Sequence, residues 1–322
     1  MGVLVTGGAG FIGSHLVDHL LTLGEKVTVL DDGSTGSFEN LSHHKNNTDL
    51  KIVNESIIDS KKISNIFKDI DKCFHTAAAL GVENIVKNPI HALQVNLVGS
   101  ENIFNLAAKA GVRTLFTSTS EIYGRNPNQP LREDSDRVLG SPSVSRWTYS
   151  EAKALDEFLA LNLNKTQNFP VTIARLFNTV GPRQIGSFGM VLPKFVFAAL
   201  SNQPILIHGD GSQTRTFISV DEVVKALYQL IKSNQTIGEV YNVGGTEEIS
   251  IKNLAKKIIE ITNSKSEITY IKHADFFGEN FEEPLRRVPD ITKIRQAIDW
   301  NPVKGIDQVI LDIASSIGKN GF

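Results

Sequence analysis

The chain opens on Val3-Leu4-Val5-Thr6-Gly7-Gly8-Ala9-Gly10-Phe11-Ile12-Gly13-Ser14-His15-Leu16. A short β-branched run passes through Gly7-x-x-Gly10-x-x-Gly13 into a helical apolar pattern, the strand–loop–helix context that a dinucleotide loop requires. Glycines there allow a tight turn and close approach of backbone to a pyrophosphate, whose charge lies at a helix N-terminus. The next expected strand ends Val29-Leu30-Asp31-Asp32. An acid about 20 residues beyond the loop accepts the adenosine ribose hydroxyls and repels a 2′-phosphate, which favours NAD over NADP.

Working outward, strand-like runs at 2–6, 26–31, 50–54, 72–76, 114–118 and 170–176 alternate with helical stretches at 12–23, 60–68, 89–110 and 149–163. This alternation implies an α/β fold, a Rossmann-type doubly wound parallel sheet covered by helices. After Gly181 the rhythm changes. Pro182, Gly186 and Gly189 mark loops; helices are expected at 192–200, 221–232, 251–262 and 291–298, and a strand at 205–208. The expected organisation is an NAD-binding domain over 1–180 and a smaller C-terminal α/β substrate-binding region over 181–322, interleaved with the first. Together they would complete a site at the C-terminal edge of the sheet.

Composition excludes several alternatives. The 322 residues are 41% hydrophobic and 21% charged, ordinary for a globular chain. A formal net charge of -2 supplies no general basic field for nucleic acid. No apolar run has membrane-spanning length, so the expectation is a cytoplasmic protein with no membrane partner. One cysteine, Cys73, excludes an internal disulfide framework, and its apolar neighbours mark it as buried filler.

Far downstream stands Tyr149-Ser150-Glu151-Ala152-Lys153. A spacing of four places Tyr149 and Lys153 on one helix face, where a lysine cation favours phenolate and makes the tyrosine a base nearer neutral pH. Taken alone, the pattern arises often by chance. At the end of the fifth expected strand, Thr117-Ser118-Thr119-Ser120-Glu121-Ile122-Tyr123-Gly124 supplies a hydroxyl, Thr119, and a carboxylate, Glu121, where open α/β sheets bind ligands. His15 and His19 share a helix face, but no third ligand suggests itself, so no metal site is expected.

These residues together resemble the extended short-chain dehydrogenase/reductase superfamily, the NAD-dependent nucleotide-sugar epimerases, dehydratases and decarboxylases. The likeness extends through His75-Thr76-Ala77-Ala78, Asn96, Arg175-Leu176-Phe177-Asn178-Thr179-Val180-Gly181-Pro182-Arg183 and His208-Gly209-Asp210-Gly211-Ser212-Gln213-Thr214-Arg215-Thr216-Phe217. The resemblance implies that Gly7, Gly10, Phe11, Ile12 and Gly13 line the pyrophosphate and that Asp31 and Asp32 hold the adenosine ribose. Ser56-Ile57 would stand at the adenine, where the family carries Asp and an aliphatic residue, and Ala77 would also line the cofactor. Lys153 would bind the nicotinamide ribose. Asn178, Arg215 and Arg287 match the family's nucleotide-sugar contacts.

The resemblance further implies catalysis by Thr119, Glu121, Tyr149 and Lys153 through a 4-keto sugar. The branches diverge from that intermediate. Thr119-Ser120-Glu121 looks like UDP-glucuronate decarboxylases and also like GDP-mannose 4,6-dehydratases. Arg146-Trp147-Thr148-Tyr149 and Arg286-Arg287-Val288-Pro289-Asp290 lean toward decarboxylation, with Arg287 either at the glucuronate carboxylate or on the diphosphate. UDP-glucuronate decarboxylation is therefore the leading expectation; a 4,6-dehydratase, a 4-epimerase and a non-catalytic NAD-binding regulatory protein are the alternatives. Related enzymes pair through a four-helix bundle, so a homodimer is expected.

Overall fold

The structure, a computed structural model, describes residues 2–79, 89–144, 146–184, 190–271 and 284–320. The loop positions Gly186 and Gly189 lie outside the described residues. The main sheet contains β1 (Gly2–Thr6), β2 (Lys26–Asp31), β3 (Leu50–Asn54), β4 (Ile70–His75), β5 (Arg113–Thr119), β6 (Val171–Leu176) and a late strand, Val240–Val243. Their spatial order is Val240–Val243, β6, β5, β4, β1, β2, β3, and every neighbouring pair is parallel. The winding reverses between β1 and β4, so the crevice at their carboxyl ends is the place where a doubly wound sheet takes a ligand.

Both faces of the sheet are covered, which explains the near-continuous apolar strands. Side chains alternate across a strand. Val3 and Val5 join Leu16, Val17 and Leu20 of helix Phe11–Thr22 and Val223, Leu227 and Leu230 of helix Val220–Lys232. Leu4 faces the opposite way, into a core with Ile103 and Phe104 of helix Ser100–Ala110 and Ala160 and Leu163 of helix Trp147–Gln167. Each of these Val, Leu, Ile and Phe side chains contributes about 1.5–3 kcal/mol on burial. A third core, with Leu192, Val196, Leu254, Ile258 and Ile310, gathers the C-terminal helices.

The structure departs from the sequence expectations where local pattern is weak. The stretch 60–68 is a helical turn, Ser60–Ile63, followed by a 3₁₀ segment, Ser64–Asp69. Within 89–110 the helix loosens into a π segment at Val95–Gly99. The amide of Asn96, in that segment, brackets the backbone of Ala79, accepting from its N–H and donating to its carbonyl, both at 2.9 Å. The strand Val240–Val243 and the helix Ile306–Asn320 were not anticipated. Nor was the three-stranded sheet in which Thr214–Thr216 lies between Glu248–Ser250 and Arg286–Arg287. A two-residue strand carries no periodicity; only its partner reveals it.

Candidate active site

The carboxyl ends of β1, β4, β5 and β6 open onto a cavity of about 1000 Å³ that extends between the main sheet and the C-terminal region. Every sequence-predicted site residue lines it except Ser56. The Ser56 hydroxyl instead hydrogen-bonds Asp32, leaving Ile57 on the wall.

At the glycine-loop end, Gly7 has φ +71 and a Cβ there would stand 2.7 Å from the Ala77 backbone. A Cβ on Gly13 would run into the carbonyl oxygen of Gly7. Helix Phe11–Thr22 therefore begins against the loop, with no side-chain cap and no acid in its first turn. Its amide end is left to a ligand anion. Asp31 accepts hydrogen bonds from the Ala9 and Gly33 amides at 2.9 and 2.8 Å, which fixes the loop to the end of β2. Burial raises its pKa against those two bonds. Burial opposes the charge of Asp32 as well, but hydrogen bonds from Ser34 and Ser56 outweigh it and lower the pKa. A close-approach loop, an uncapped helix end and paired carboxylates fit a dinucleotide.

At the other end, Thr119 terminates β5, and its hydroxyl accepts the Glu121 amide at 3.1 Å, capping the 3₁₀ turn Ser120–Tyr123. Ser150 donates to the Glu121 carbonyl at 2.9 Å, so the turn is fastened to the helix that carries Tyr149 and Lys153. The Lys153 ammonium sits 4.1 Å from the centroid of Phe116, and burial pulls its pKa down against the charges of Asp156 and Glu157. Tyr149 corrects the sequence argument. Burial first, then the charges of Glu121 and Asp156, push the phenol pKa above its ordinary value, so Lys153 alone does not draw it toward ionisation.

Glu121 is clamped. One carboxylate oxygen meets Arg287 Nη1 at 2.6 Å and the other Arg146 Nη2 at 3.5 Å. Burial opposes its charge, yet the guanidinium groups of Arg287 and then Arg146 hold the pKa down to about 2. Arg287 itself is 4% exposed. Its Nε and Nη2 are buried without a hydrogen-bond partner among the described residues. Those two donors form one edge of the guanidinium, the fork that receives two oxygens of a carboxylate or phosphate. The Gln129 side chain brackets this residue, donating to the Arg286 carbonyl at 3.2 Å and accepting from the Val288 amide at 3.0 Å.

Asn178 donates to the Thr216 carbonyl at 2.8 Å, and Arg215 to the Thr214 carbonyl at 2.8 Å, beside Arg287 in the three-stranded sheet. Two wall residues were missed as site members. Arg146 stands three positions before Tyr149, close enough in sequence to have suggested a role. Arg183 follows Gly181-Pro182 with φ 66 and donates to Ser14 at 3.1 Å and Asp18 at 2.7 Å; it closes the run Arg175–Arg183 that carries the resemblance, but its sequence neighbours gave it no role. Cys73 is fully buried and its thiol pKa is raised by burial, in keeping with a filler role.

Since the Glu121 pKa lies below its reference of 4.5, its ion pairs stabilise the fold above that pH and are lost as pH falls toward 2. Glu121→Gln should flatten the acid limb of the melting-temperature profile between those values. An unchanged limb would remove the clamp.

The family model described as GDP-mannose 4,6 dehydratase matches residues 4–313. A UDP-N-acetyl-alpha-D-glucosaminuronate decarboxylase of Bacillus cytotoxicus is 37% identical over 93% of this chain and 92% of its own length. UDP-glucuronic acid decarboxylase 4 of Arabidopsis thaliana is 35% identical over 95% of this chain and 66% of its own. The solved dTDP-glucose 4,6-dehydratase of Streptomyces venezuelae with NAD bound superposes with a TM-score of 0.89 at 26% identity, covering 99% of this chain and 98% of that one. The family match over nearly the whole chain and the shared fold place it: the chain belongs to the GDP-mannose 4,6 dehydratase family, among the nucleotide-sugar-modifying extended short-chain dehydrogenases/reductases.

Proposed function

We propose that this enzyme is an NAD-dependent decarboxylase of UDP-uronates, with UDP-glucuronate as its substrate. The observation that carries the proposal is the free Nε–Nη2 edge of Arg287, buried in the cavity wall and tied through Glu121 to the turn that follows Thr119. A fork fixed beside the reacting end suits a carboxylate at C6 of the sugar. The relatives named above as decarboxylases support the same class.

Residues Gly7, Gly10, Phe11, Ile12, Gly13, Asp31, Asp32, Ile57 and Ala77 would hold NAD, which accepts a hydride from C4 and whose positive ring favours phenolate at Tyr149. Tyr149 takes the proton of the 4-hydroxyl, with Thr119 hydrogen-bonding the same oxygen and Lys153 beneath. The resulting 4-ketone is β to the C6 carboxylate. The C5–C6 bond then breaks with its electron pair moving toward the ketone, carbon dioxide leaves, and C5 takes a proton. Arg287 orients the carboxylate, Glu121 stays ionised and fixes Arg287, and Asn178 and Arg215 bind the nucleotide diphosphate.

Incubation with UDP-glucuronate, UDP-N-acetylglucosaminuronate, UDP-glucose and GDP-mannose, followed by mass spectrometry, tests the reading. Carbon dioxide loss from a uronate supports it. Water loss from UDP-glucose or GDP-mannose, or an isomer of unchanged mass, with both uronates inert, would establish a dehydratase or epimerase instead.

The chain is also proposed to pair as a homodimer. Leu155 and Phe158 are 54% and 57% exposed on helix Trp147–Gln167, and Ile90 and Val98 are 68% and 41% exposed on the helical stretch 89–110. Phe158→Asp should shift the mass in solution from dimer to monomer by light scattering; a monomeric parent protein would end the proposal. No described helix is long and apolar enough to cross a membrane.

A further inference from the structure

Outside the cavity, three metal-ligating side chains converge on the outer side of the cofactor cradle. Asp18 lies on helix Phe11–Thr22, one turn beyond the glycine loop; His43 and His44 end the 3₁₀ turn Phe38–His44. The Nε2 atoms of His43 and His44 stand 2.9 and 2.8 Å from the same Asp18 Oδ1, and the ligand atoms all lie within 4.8 Å of one another. The second oxygen, Oδ2, is held by Arg183 Nη2 at 2.7 Å.

We propose that Asp18, His43 and His44 form a surface site for one divalent transition-metal ion of the zinc, cobalt or nickel type. Two imidazole nitrogens and a carboxylate oxygen are the donor set such ions take. At metal–ligand distances of about 2.0–2.2 Å, donors sharing a tetrahedral ion stand about 3.3–3.6 Å apart, so each imidazole nitrogen need move only about 0.5–0.8 Å from the carboxylate oxygen to share one. His43, with 48% of its side chain exposed, leaves water the remaining positions. Arg183 orients the carboxylate from behind, as outer-shell partners do, and its charge limits the affinity. The expectation of no metal weighed only His15 and His19; in this other cluster both histidines come from a turn about 25 residues downstream of Asp18, which helix spacing cannot reveal.

The site has a consequence for the cradle. Ser37 and Asn40, at the start of the same turn, donate to the Ala9 carbonyl at 3.0 and 2.9 Å. An ion at Asp18 would fasten both ends of the turn to the loop and helix that receive the dinucleotide. Metal binding itself does not depend on the decarboxylase proposal.

The test uses tag-free protein stripped with a chelator and titrated with zinc and cobalt chlorides by calorimetry and visible spectroscopy. One saturable equivalent per chain is expected, with affinity falling about tenfold or more in His43→Gln and in His44→Gln. Zinc at a large excess over its dissociation constant should raise Tm by about 5 °C in the parent and not in the double variant. Absence of saturable one-to-one binding in the parent overturns the proposal, as does unchanged affinity in a double variant that melts normally without metal. Either result would leave a hydrogen-bonded cluster in which one oxygen accepts two imidazole N–H groups.

Discussion

Tyr149→Phe is expected to lower turnover by about 10²- to 10⁴-fold, the range attributable to one positioned acid–base group. The change removes the only atom the mechanism asks to move a proton at the 4-hydroxyl. It should leave NAD affinity, measured by calorimetry, nearly as it was, because the proposed binding falls to the glycine loop and Asp31. The pH profile carries a further signature. The phenol pKa is raised by burial and by the charges of Glu121 and Asp156. Activity should therefore rise with pH on its alkaline-going limb, and the positive cofactor should move that limb down. Full turnover by Tyr149→Phe would refute the assignment.

Arg287→Lys should cost kcat/KM for the uronate about 10²-fold or more. A lysine keeps the charge but loses the fork, and charge-assisted hydrogen bonds contribute about 1.5–3 kcal/mol each. The variant also separates the two roles the sequence left open. If Arg287 grips the C6 carboxylate, affinity for UDP alone stays near the parent value while turnover of UDP-glucuronate collapses. If it grips the diphosphate, UDP affinity falls in parallel and the decarboxylase proposal loses its chief support.

Much of the fold was legible because it is written locally. The bounds of β1, β2 and β3 follow from apolar runs between glycine and polar breaks, and Gly7, Gly13 and Asp31 lie within one strand–loop–helix–strand unit. The Tyr149–Lys153 pair and Thr119 were legible for the same reason: one helix and one strand end. Arg183 and the Arg146–Glu121–Arg287 clamp were not. Their partners come from segments up to 169 residues apart, and no local spacing encodes such a meeting. The direction of the Tyr149 pKa failed for a related cause. A lysine four residues on is visible in sequence, whereas burial and the carboxylate of Glu121 exist only once the chain has folded.

The place of Val240–Val243 bears on how the protein is made. This strand hydrogen-bonds β6 and completes that side of the sheet, yet about 70 residues separate the two in the chain. At synthesis rates of about 5–20 residues per second, β6 leaves the ribosome roughly 3–14 s before its partner is made. Throughout that interval an apolar edge with unpaired amides faces solvent, the kind of template that recruits strands from other chains. Ribosome-bound chains halted after residue 200 should therefore bind holdase chaperones, and those halted well beyond residue 245 should shed them.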